Sequence, residues 1–115
     1  ANMGAGPPAP DDGSADAPGL GLGLEFELGQ NTPNPFRPST TIRFALPSER
    51  QVDLRVFDLA GRAVKTLATG PLGPGLHTLQ WDGTSDHGSR LASGIYFYRI
   101  VAGNDRAERK MVIAD

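Results

Sequence analysis

From residue 24 onward, apolar side chains recur at every second position rather than every third or fourth, the period of strands and not of helices. Ile42, Phe44 and Leu46 alternate with Thr41, Arg43 and Ala45, and Pro47-Ser48 closes the run because proline has no amide to give to a ladder. Val52, Leu54 and Val56 alternate with Asp53, Arg55 and Phe57, and Asp58-Leu59-Ala60-Gly61 then turns the chain into a strand over 62–69. Gly70 to Gly75, with two prolines, reads as a loop. Beyond it His77, Leu79 and Trp81 share one face of a strand that Asp82-Gly83 stops. Tyr96, Tyr98 and Ile100 alternate with Phe97, Arg99 and Val101, and Gly103-Asn104-Asp105 turns into a last strand over 106–113. With 24–28 as a short edge strand the pattern predicts seven strands and no helix longer than a turn.

Seven short strands in one small chain predict an all-β fold, a seven-stranded immunoglobulin-like (fibronectin III-like) antiparallel β-sandwich. The expected core is Phe44, Leu54, Val56, Leu79, Trp81, Tyr96, Tyr98 and Ile100. At 115 residues one such domain is all that fits, and it leaves little room for an enclosed catalytic pocket.

Composition changes this picture mainly at the start. Residues 1–19 are nearly all Ala, Gly, Pro and Asp, with no Lys, Arg or aromatic, too little apolar surface to offset chain entropy. Residues 1–23 are therefore expected to be a disordered linker, and 24–115 the folded module at the end of a larger secreted or surface protein. Asp11, Asp12 and Asp16 carry the acidity: the whole chain is at −2, while the remainder sets 11 basic against 10 acidic residues, a balance of +1. Such a balance offers nucleic acid no cationic footprint. No cysteine is present, which removes disulfides, thiolate metal sites and cysteine nucleophiles. No apolar run of about 18 residues is available to span a bilayer, and the start lacks the basic and apolar regions of a signal peptide.

Candidate chemistry is sparse. Asn31-Thr32-Pro33-Asn34-Pro35-Phe36-Arg37-Pro38 holds three prolines in six positions, a stiff lead-in that should cap the sandwich, with Phe36 as a plug and Asn34 bonding local amides. A partner-docking role is the other reading of this stretch. Asp82 and Asp86 share one loop with several oxygens, but the ligand spacing of a calcium loop would put its bidentate Glu where Ser93 stands, so turn bonds are expected and no metal or cofactor. Ser85, Asp86 and His87 are adjacent, and neighbours on one loop do not reach the geometry of a catalytic triad. His77 is expected to be a half-buried packing residue. Trp81, Tyr96, Phe97 and Tyr98 could form a platform for sugar rings, but alternation sends Tyr96 and Tyr98 inward and leaves at most one ring of that strand exposed.

Asn31 to Phe36, Phe57-Asp58-Leu59-Ala60-Gly61-Arg62, Gly75 to Gly83, Ser93-Gly94-Ile95-Tyr96-Phe97-Tyr98-Arg99 and Arg109-Lys110-Met111-Val112 follow one another in an order that resembles C-terminal sorting domains of the type IX (Por) secretion system. The same motifs are similar to the related FlgD-like Ig-like domains. The resemblance spans about 30–113. It implies a non-catalytic C-terminal module that directs a larger protein across the outer membrane and leaves it at the cell surface. Secretion translocon or cell-envelope components would be its partners, and the module would be a monomer. By position it carries the recognition motifs over to Pro33, Asn34 and Pro35, to Gly94, Ile95 and Tyr96, and to Lys110 and Val112. One departure is the end: many members finish with a basic residue, whereas this chain ends Ile113-Ala114-Asp115. A carbohydrate-binding module, an inert fibronectin-like spacer and the Ig-like part of a flagellar hook-capping protein are the alternatives.

Overall fold

The computed structural model describes residues 24–114, so the linker expected at 1–23 lies outside the described residues. Seven strands appear: β1 (Glu27–Leu28), β2 (Thr40–Leu46), β3 (Arg50–Phe57), β4 (Ala63–Leu72), β5 (Gly75–Trp81), β6 (Gly94–Ala102) and β7 (Asp105–Ile113). They form two antiparallel sheets, ordered β1-β2-β5 and β4-β3-β6-β7. This is the expected immunoglobulin-like sandwich, three strands facing four.

Between the sheets lie Leu28, Ile42, Phe44 and Leu46 from one side and Leu54, Val56, Tyr98, Ile100 and Met111 from the other, all buried. Trp81 closes one end at 3% exposure, its ring 5.6 Å from that of Phe36 and its Nε1 donating to the Thr84 carbonyl at 2.9 Å. Leu79 departs from expectation. It has the inward phase but is only half-buried, because β5 is an edge strand whose inner face lies at the open flank of the core. His77 is half-buried as expected, its ring stacked on Phe44 at 5.1 Å and its Nε2 2.8 Å from the Gly73 carbonyl.

A second correction concerns Gly70 to Gly75. β4 continues through Gly70 and Pro71 to Leu72, and the connection to β5 shrinks to Gly73-Pro74. Pro71 sits opposite Gln51, whose carbonyl faces away from β4 to accept the Gly103 amide at 3.2 Å. The Pro71 nitrogen therefore faces the open side of an edge strand, where a missing donor costs nothing. The turn at Asp58 forms as expected: Asp58 Oδ1 accepts the amides of Ala60 and Arg62 at 2.9 and 3.0 Å, and Oδ2 takes Arg62 Nε at 2.9 Å. These bonds, the Arg62 amide first, hold its carboxyl below the usual value.

Candidate functional site: the strapped edge of the last strand

β7 is an edge strand, and an uncovered edge invites unwanted pairing. Here a segment from the other end of the fold covers it. The Phe36 amide donates to the Val112 carbonyl at 3.1 Å, and the Ala114 amide donates to the Phe36 carbonyl at 3.0 Å, a parallel bridge. Asn34 Oδ1 accepts the Val112 amide at 2.9 Å. Gln30 Nε2 donates to the Lys110 carbonyl at 2.9 Å and Arg109 Nε to the Leu28 carbonyl at 2.6 Å. Asn34 thus differs from expectation: its partner is no local amide but one 78 residues away. Prolines on either side explain why a side chain does this work, since Pro33 and Pro35 have no amides with which to pair the edge.

The strap is anchored underneath. Asn31 is fully buried, and its Nδ2 donates to the Pro33 carbonyl at 3.2 Å and to Thr40 Oγ1 at 3.0 Å. Thr40 Oγ1 itself donates to the Pro33 carbonyl at 2.8 Å. The Asn31 amide donates to the Tyr98 hydroxyl at 2.8 Å, and that hydroxyl donates to the Gly29 carbonyl at 2.6 Å. Burial pushes the Tyr98 phenol up. Neither Asn31 nor the Tyr98 hydroxyl was singled out from sequence. The available signal was that a tyrosine on a core-facing strand must find a partner for its hydroxyl.

The structure sorts the motif residues. Pro33, Asn34 and Pro35 lie exposed on the strap. Lys110 is exposed and Val112 half-buried on the outer face of the four-stranded sheet, where Val112 stands opposite Ile95 and Lys110 opposite Phe97. Strap, Lys110, Val112 and Ile95 therefore meet along one edge. Tyr96 does not join them: it points into the core at 8% exposure, its hydroxyl donating to the Ala92 carbonyl at 2.8 Å. Gly94 starts β6 at φ +145°, a conformation that L side chains resist, with nothing close to where a Cβ would stand.

Trp81, Tyr96 and Tyr98 are all buried, so they offer no platform to a sugar. Two rings do face outward, half-buried: Phe97, and Phe57 opposite it on β3, over which the Arg99 guanidinium lies at 4.4 Å. Asp82 makes the expected turn bonds, accepting Thr84 Oγ1 at 2.6 Å and the Thr84 amide at 3.2 Å, and the hydroxyl in particular lowers its carboxyl. Asp86 instead reaches across to β4, accepting the Thr66 amide at 3.1 Å while its own amide donates to the Val64 carbonyl at 3.1 Å. Ser85 Oγ accepts the backbone amides of His87 and Ser89, so the Ser85 and Asp86 side chains bond backbone and not each other. Among the described residues no group of three or more His, Asp or Glu is placed to hold a metal ion, and no helix is long and apolar enough to cross a membrane.

A three-on-four sandwich with a proline strap over its last strand defines an immunoglobulin-like β-sandwich module. Residues 36–106 match the FlgD Ig-like domain, more than half of the chain, and the protein belongs to that family. Among curated proteins the basal-body rod modification protein FlgD of Salmonella typhimurium is 39% identical over 54 residues, covering 47% of this chain and 23% of its own length. FlgD of Escherichia coli is 33% identical over 69 residues, covering 57% and 30%. The chain thus spans less than a third of these relatives. Two solved structures from Porphyromonas gingivalis share the fold. Dimeric latent PorU is 25% identical at a TM-score of 0.61, over 79% of this chain and 10% of that one. PorZ, an essential bacterial surface component of the type IX secretion system, is 16% identical at a TM-score of 0.53, over 75% and 11%.

Proposed function

We propose that this module is a non-catalytic terminal domain that sorts a larger secreted protein to the cell surface or holds it there, recognised along the strapped edge of β7 by a component of the secretion machinery or envelope. The observation that carries the reading is the convergence of motifs 78 residues apart: Asn34 on the strap is bonded to Val112 on the last strand, beside exposed Lys110 and Ile95. Recognition needs exposed, rigidly held groups, and the strap supplies the rigidity without occupying those side chains. The uptake of Ser85 Oγ and Asp86 Oδ1 by backbone amides supports a non-catalytic reading of this loop.

Fused behind an exported reporter in a bacterium with a type IX system, the chain should bring that reporter to the cell surface. Lys110→Ala should leave melting within about 0.5 kcal/mol, because the side chain is exposed, yet lower surface delivery. A reporter retained in the periplasm by the intact module overturns the sorting reading, and a Lys110→Ala module that localises normally removes Lys110 from it. A second reading, an Ig-like part of a flagellar assembly protein, is favoured by the FlgD relatives. Recovery of the module with flagellar hook fractions rather than at the surface would select it.

A further inference from the structure

Among the described residues three of the four sheet edges are blunted. β7 lies under the Asn34–Phe36 strap. β4 is met by Asp86 at Val64 and Thr66, carries two register shifts against β3 and turns a proline nitrogen outward. β1 is only two residues long. β5 has none of these protections. Its seven residues, Gly-Leu-His-Thr-Leu-Gln-Trp, include no Pro, Lys, Arg, Asp or Glu, the side chains that usually guard an edge.

The free groups of β5 follow from its partner's bonds. Thr41 exchanges both backbone bonds with Thr32, and the Arg43 carbonyl accepts the Gly29 amide, so these β2 residues face away from β5. Their register partners Gln80 and Thr78, and Leu76 opposite Ala45, therefore turn their amides and carbonyls to the open side. Among the described residues none of these groups has another hydrogen-bond partner. Leu76 is also 76% exposed and Leu79 only half-buried beside this edge. A row of alternating donors and acceptors at strand spacing is matched by one chemistry, an extended polypeptide.

We propose that the occupant is a second copy of this chain, its β5 lying antiparallel to the first about a two-fold axis at Thr78. This register sets Thr78 opposite Thr78, Leu76 opposite Gln80 of the second copy, and His77 opposite Leu79 of the second copy. The pairing is self-complementary and brings no like charges together. The charge in register with the axis, exposed Arg43 beside Thr78 on β2, comes to rest about 14 Å from its mate at three strand spacings of ~4.8 Å, beyond the screening length at physiological salt. Because only one edge is open among the described residues, the assembly closes at two, as a six-stranded sheet, and does not grow into fibres. This replaces the monomer expected from the sequence, and it stands independently of the sorting reading.

Sedimentation velocity on the full chain from about 10 µM to about 1 mM should show a concentration-dependent dimer, weak because an edge pair buries less than a standard interface. Thr78→Lys should weaken association by about tenfold or more through lysines facing each other on the axis. Thr78→Glu should also weaken it, and an equimolar mixture of the two variants should restore the dimer. Thr78 is exposed, so unchanged melting of each variant serves as the folding control. A wild-type chain monomeric throughout this range overturns the proposal. So does a Thr78→Lys chain that dimerises like the parent, or a mixture that stays monomeric.

Discussion

Tyr98→Phe tests the anchor of the strap with the smallest possible change. The ring stays, so core packing is preserved, and only the hydroxyl that joins the Asn31 amide to the Gly29 carbonyl is lost. Asn31 is 0% exposed, and among the described residues its amide has no other partner. A buried donor left alone costs about 1–3 kcal/mol, and the Gly29 carbonyl loses its donor as well, so the variant should be less stable by about 2–3 kcal/mol. For a domain of this size that lowers Tm by roughly 10–20 °C. Urea unfolding gives the free energy, and amide exchange supplies the local readout: protection at Asn31 and Phe36 should fall further than at the central β3 and β6 amides. A loss below about 0.5 kcal/mol, or exchange at Asn31 unchanged, would mean that the hydroxyl bridge does not hold the strap and that the reasoning is wrong.

Trp81→Ala should cost about 3–5 kcal/mol, since a buried indole packed at a tilt against Phe36 is removed, and unchanged melting would refute its place in the core. Gly94→Ala should destabilise by about 1–2 kcal/mol through backbone strain alone, because open space surrounds the added methyl; a neutral result by chemical denaturation would contradict φ +145°. Calcium and chelator should give the same Tm, since Asp82 and Asp86 are committed to backbone and hydroxyl donors, and an upward shift with calcium would sink that assignment. The carboxyls of Asp58 and Asp82 are lowered in the fold, so their contribution is present above the ordinary value of 3.8 and is lost as pH falls below it. Tyr96 and Tyr98 are raised by burial above 10.0, so stability is full below pH 10 and falls as pH rises past it; melting temperatures flat across both limbs would refute the signs.

Period-two alternation was enough to place all seven strands and the inward phase of Trp81, Tyr96 and Tyr98, because a strand's burial is written in its own sequence. What alternation cannot carry is which strand ends up on an edge. Leu79 has the same phase as Trp81, but β5 has a neighbour on one side only, and Leu79 is left half-covered. Pro71 reads locally as a break, and only the pairing with Gln51 reveals that its nitrogen faces outward. Asn34 and Asp86 were both expected to bond their own turns. Each reaches the edge of a distant strand instead, and a side-chain oxygen in a turn looks the same in sequence whichever amide it finds.

That pair of contacts changes how the motifs should be read. Asn34 at Val112 and Asp86 at Thr66 are one device used at both ends of the four-stranded sheet: an acceptor from a loop takes an edge amide that would otherwise solicit another strand. A motif residue can therefore recur for a structural reason and still lie where a partner would bind. Gly94, Tyr96 and Asn34 shape or hold the fold, and loss of delivery in their variants would report folding as readily as recognition. Lys110 and Ile95 are exposed, and among the described residues no side-chain hydrogen bond ties either to the fold. Delivery lost at these two positions with melting intact, set against delivery lost together with melting at Asn34, is the comparison that separates a surface read by a partner from a strap that keeps the surface in shape.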